Sequence, residues 1–74
     1  MTHDEFARYH PAWEPRILSL ARCFARGDHD LAEDLAQEGR CALWRLDLGC
    51  VRGDERRYIG RVVRNAMVQA VWRD

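Results

Sequence analysis

The sequence contains no lysine; all 12 of its basic residues are arginine. Arginine forks carboxylates and phosphates better than lysine does, but a GC-rich genome would leave the same imprint, and that explanation weighs more. Ser19 is the single serine and has no evident base beside it, so a nucleophile–base pair is missing. There is no glycine-rich phosphate loop. Cys23, Cys41 and Cys50 are odd in number and unclustered, and His3, His10 and His29 are scattered, which argues against a disulfide framework or a zinc site. Cys23 and Cys41 are expected to be buried or half-buried free thiols in a reducing cytoplasm. No apolar run approaches the roughly 18 residues of a membrane span, and the start of the chain does not read as a signal peptide. The expectation is a cytoplasmic protein that is not an enzyme and carries no metal or cofactor.

Seventy-four residues make one small domain, read as spanning 1–74 and near the size at which a single core is only marginally stable. Formal net charge is zero, but the charges are sorted along the chain. Residues 28–38 carry Asp28, Asp30, Glu33, Asp34 and Glu38 with no base. Residues 52–73 carry Arg52, Arg56, Arg57, Arg61, Arg64 and Arg73 against Asp54 and Glu55 alone. One surface is therefore expected to be acidic and another basic.

Periodicity predicts an all-α protein. Thr2 with Glu5 forms a capping-box pattern, opening a short helix through about Tyr9 that Pro11 should stop or bend. Pro15 suits the first turn of the next helix. There Ile17, Leu20, Ala21, Phe24 and Ala25 form an apolar stripe, and Gly27 closes it. In the stretch Leu31 to Trp44, Asp30 is expected to cap, with Glu33 three residues on. Leu31, Leu35, Ala42, Leu43 and Leu46 fall on one side, and Asp34, Gln37, Glu38 and Cys41 on another. Asp47 to Gly53 reads as a loop, and Asp54 caps a last helix reaching about Trp72. Ile59, Val62, Val63, Ala66, Met67 and Ala70 should face inward on that helix. Arg57, Arg61, Arg64, Asn65, Val68 and Trp72 should face outward. The expected architecture is a compact bundle of three main helices plus a short N-terminal helix.

The run AEDLAQEGRCALW at residues 32–44 resembles the second conserved region of bacterial sigma factors, the promoter-specificity subunits of RNA polymerase, and is most similar to the extracytoplasmic-function type. The resemblance extends upstream through Phe6, Pro15 and the run from Ile17 to Gly27-Asp28. Downstream it continues through Arg52-Gly53-Asp54 and the run Tyr58 to Asn65, covering roughly residues 6 to 73. Position 58 is Tyr where the family often has Trp, and position 69 is Gln where an Asp is common. A complete sigma factor of this type has a second helical domain and a linker outside these 74 residues. The chain therefore reads as an excised or reduced promoter-melting domain, or else as a stand-alone regulator that displaces the host sigma factor. A generic helical DNA-binding module is a third reading, and it leaves the acidic helix without a purpose.

The resemblance implies two partners. The clamp helices of the polymerase's largest subunit would meet Asp34, Gln37 and Glu38, flanked by Arg40 and Trp44, with Leu35 in the core. Minus-ten promoter DNA, as an unwound strand, would meet the loop Leu48 to Gly53 with Arg52, Arg56, Arg57, Arg61, Arg64 and Asn65. Tyr58 and Trp72 are candidate stacking platforms beside those arginines. Plainer roles exist for several of these: a solvated arginine for Arg40, a core edge for Trp44, core for Tyr58, an apolar end-plug for Trp72, and a backbone bridge for Asn65. An anti-sigma protein is a further partner that the resemblance leaves open.

Overall fold

The structure, a computed structural model, describes residues 1–51 and 53–72. It is all-α: α1 spans His3–Ala25, α2 His29–Trp44 and α3 Glu55–Val71, with a 3-10 turn at Leu48–Cys50 between the last two. No strand occurs among the described residues.

The first helix begins as its sequence announces. Thr2 accepts from the Glu5 amide at 3.1 Å while Glu5 accepts from the Thr2 amide at 2.8 Å. It then runs through both prolines, so the expected break at Pro11 and restart at Pro15 do not occur. The reason is the face they occupy. Ala7, Pro11 and Pro15 are all exposed, so the carbonyls that lose their i→i−4 partners, those of Ala7 and Pro11, can turn to water. On the inner face Trp13, Ile17, Ala21 and Ala25 are buried at steps of four, and that continuous stripe holds the helix together. Cys23 is exposed, contrary to the buried or half-buried thiol expected, because it lies off this stripe; Cys41 is half-buried.

Arg26 takes the left-handed conformation at the end of α1 (φ 51°), followed by Gly27 at φ 91°. The chain reverses within these two residues, and the next extended residue, Asp28, becomes the cap of α2. Its carboxylate accepts from the Leu31 amide at 3.1 Å. The cap is thus Asp28 rather than Asp30, which lies in the first turn. At the third helix the expectation holds: Asp54 accepts from the Arg57 amide at 3.2 Å.

Ile17, Leu35, Leu43, Ile59, Val63 and Met67 form the fully buried core. The helix α2 packs on both α1 and α3, and the three meet at Gly39. A methyl group placed there would come within 2.7 Å of Met67 Cε, 3.2 Å of Ile17 Cγ2 and 3.3 Å of Val63 Cγ1. The missing side chain is what lets the helices close. At the far end of α2, the Met1 ammonium donates to the carbonyls of Trp44 and Leu46, where the helix dipole favours a cation.

Candidate functional site

The acidic helix α2 turns Leu35, Ala36, Gly39 and Leu43 inward. Asp34 and Gln37 are therefore exposed and Glu38 half-exposed, a helical turn apart on one surface. Trp44 continues that surface at the helix end and is 44% exposed. It is both a core edge and an accessible ring: Phe6 meets it edge-on at 5.1 Å, and His3 at 6.3 Å.

Arg40 occupies the same helix but is engaged within the chain. Its Nε and Nη2 donate to the two oxygens of Glu14 on α1, at 2.9 and 2.6 Å, and its Nη1 donates to Gln37 Oε1 at 3.2 Å. His10 closes the group, with Nε2 2.7 Å from Glu14 Oε1. The Arg40 fork, helped by His10, lowers the Glu14 carboxyl to about 2, and Glu14 in turn raises Arg40. Glu14 and His10 gave no functional signal in the sequence. Their spacing of four on α1 was legible as a helical pair, but nothing in the pattern placed them beneath Arg40.

The arginines of α3 line a different surface. Arg56, Arg57, Arg61 and Arg64 are exposed along an open groove of about 720 Å³ between α1 and α3, with Asn65 at its edge. The opposite wall is Trp13 and Arg16 of α1, the Arg16 guanidinium sitting 5.6 Å above the Trp13 ring. Gly60 forms part of the floor, with the Trp13 ring close enough that a methyl group there would touch it at 3.6 Å. Arg16 joins this basic surface from α1, on the side away from that helix's apolar stripe. A Trp–Arg pair at i, i+3 was the available signal. In an adjoining pocket that shares Trp13, Arg16 and Arg56 with the groove, the Glu55 carboxylate beside Tyr9 raises its phenol pKa, and Glu55 Oε1 is buried without a hydrogen-bond partner.

Tyr58 lies elsewhere. It is 36% exposed rather than core, and it lines a second groove beside α2 with Ala42, Arg45 and Gln69. Asn65 borders both grooves. Trp72 is 81% exposed and so plugs nothing in this chain. The structure thus groups Arg56, Arg57, Arg61 and Arg64 with Arg16, and separates Tyr58 from them by the ridge of α3. Arg52 lies outside the described residues. Among the described residues no group of histidine, cysteine and acidic side chains is arranged to hold a metal ion, and no helix is long and apolar enough to cross a membrane.

A short acidic helix held between two others, with an arginine-lined third helix, is the arrangement the sequence resemblance called for. The sigma-70 region 2 family matches residues 11–74, nearly the whole chain. The chain belongs to the sigma-70 region 2 family. Neither the curated proteins nor the solved structures give a match to it. Membership makes this a transcription-initiation domain, of a kind that binds RNA polymerase and promoter DNA and is not an enzyme family.

Proposed function

We propose that this sigma region 2 domain docks its α2 face on the clamp helices of the polymerase's largest subunit and holds the unwound minus-ten strand along the arginine groove. The observation that carries the reading is the separation of the two surfaces. Asp34, Gln37, Glu38 and Trp44 lie on α2, whereas no α2 residue lines the groove that holds Arg56, Arg57, Arg61 and Arg64. A protein helix bearing cations can therefore occupy one while a phosphate backbone occupies the other.

On the α2 face, Asp34 and Glu38 pair with cationic side chains of the partner, and Trp44 offers apolar area at the rim. In the groove, each arginine neutralises a phosphate, and the strand crosses from α3 toward Arg16 on α1. Tyr58, Asn65 and the exposed Trp72 are available to stack on or read bases that leave the groove. The extracytoplasmic-function type fits the sequence resemblance, and the place of action is the bacterial cytoplasm, where polymerase is.

The deciding experiment is binding of the purified chain to bacterial core polymerase at moderate salt, with Asp34→Ala and Gln37→Ala beside the wild type. Weakened binding by folded variants is the expected result. Unchanged binding in both would remove the α2 face from the reading.

A further inference from the structure

Gln37 is the one neutral polar side chain among the acids of the α2 face, and a free carboxamide can present either its oxygen or its NH2 to a partner. Here one of those choices is already made. Arginine has donors and no acceptor, so the contact of Arg40 Nη1 at 3.2 Å must fall on the Gln37 oxygen. Arg40 cannot swing away to release it, because Glu14 holds two of its other nitrogens at 2.9 and 2.6 Å. Glu14 is itself fixed. His10 sits 2.7 Å from its Oε1 and stacks on Phe6 with ring centroids 4.9 Å apart and planes 9° from parallel. Phe6 in turn packs edge-on against Trp44. Phe6, His10 and Glu14, each one turn apart on α1, thus brace both Gln37 and Trp44 from behind.

We propose that Glu14 is a positioning residue for polymerase recognition: through Arg40 it holds the Gln37 oxygen inward, leaving the Gln37 NH2 as a preset pair of donors. The partner surface is then defined chemically. It supplies cations opposite Asp34 and Glu38 and an oxygen acceptor, a carboxamide or backbone carbonyl, opposite Gln37. Presetting the amide avoids the cost of freezing a mobile side chain on binding. This inference rests on the reading that the α2 face meets polymerase.

Two measurements on the full chain test it. The first needs no partner: in a 15N-labelled sample, the Gln37 side-chain NH2 resonances of the wild type should be distinct from those of the exposed Gln69. In Glu14→Gln, which breaks the charged fork, they should move toward the Gln69 values. The second is a double-mutant cycle of polymerase affinity, with urea unfolding confirming that every variant is folded under assay conditions. Glu14→Gln should weaken binding roughly fivefold, about 1 kcal/mol, and should cause no further loss in a Gln37→Ala background. A role in stability alone would leave the loss the same in both backgrounds. Equal losses, or unmoved Gln37 resonances, overturn the proposal. Wild-type affinity in Gln37→Ala is a separate outcome: it removes the polymerase reading of this face, and the inference with it.

Discussion

Gly39 and Gly60 each lie inside a helix, and alanine at the two positions should act in opposite directions. In both, the substitution gains about 1 kcal/mol of helix propensity, largely by restricting the unfolded chain. At Gly60 the new methyl meets the Trp13 ring at 3.6 Å (Cη2) and 3.8 Å (Cζ3), which is ordinary contact. Gly60→Ala should therefore stabilise by about 1 kcal/mol, or roughly 4–8 °C in Tm for a domain of this size. At Gly39 the methyl would press on Met67 Cε at 2.7 Å, Ile17 Cγ2 at 3.2 Å and Val63 Cγ1 at 3.3 Å. Met67 can bend away, but Ile17 and Val63 are branched, stiff and fully buried. Overpacking of that kind costs about 1–3 kcal/mol, so Gly39→Ala should be neutral to destabilising by about 2 kcal/mol. Thermal and urea unfolding of the two variants, followed by circular dichroism, measure the difference directly. A Gly39→Ala protein stabilised as much as Gly60→Ala would refute the claim that the three helices close on Gly39.

Other expectations follow from the same geometry. Glu14 falls from 4.5 to about 2 in the folded chain, so its contribution is present above pH 4.5 and is lost as pH drops toward 2. Converted in full the shift is about 3 kcal/mol, which solvent at this partly exposed pair reduces to roughly 1–2. Glu14→Gln should flatten stability across that window, as acid titration monitored by circular dichroism would read. Asp28→Ala should cost about 1 kcal/mol through the lost cap, and Asp30→Ala only a few tenths; equal costs in urea unfolding would return the cap to Asp30. For single-stranded minus-ten DNA, Arg61→Ala should lower the slope of log affinity against log salt by about 0.7. Arg26→Ala, at the far end of α1, should leave that slope unchanged.

What the sequence disclosed and what it hid divide along physical lines. Apolar periodicity placed Ile17, Leu35, Leu43, Ile59 and Val63 in the core, because burial is set by spacing along each helix. Local capping was legible at Thr2 and Asp54, where a single acceptor stood at the right distance. It failed at Asp28 because two aspartates competed, and the choice depended on how tightly Arg26 and Gly27 turned the chain. The continuity of α1 was hidden for a related reason. A proline's local cost is fixed, but whether a helix tolerates it depends on which face it takes, and packing of Trp13 and Ile17 decides that. The Glu14–Arg40 fork joins residues 26 apart, and no period within either helix could reveal it.

That fork bears on how an acidic helix becomes a recognition surface. Acids placed near a helix start are explained well enough by the macrodipole, and a solvated face would need nothing more. A solvated face does not need its one carboxamide tied to an arginine, that arginine held by both oxygens of a carboxylate on another helix, and the carboxylate backed by a histidine stacked on a phenylalanine. The Glu14–Arg40 fork adds to stability with or without Gln37, so its stability contribution does not explain why the carboxamide is tied in. What the network does provide is direction. It fixes which end of Gln37 faces outward and seats the Trp44 ring against Phe6 at the same time. Both groups are thereby set by the packing of α1 on α2, before any partner arrives.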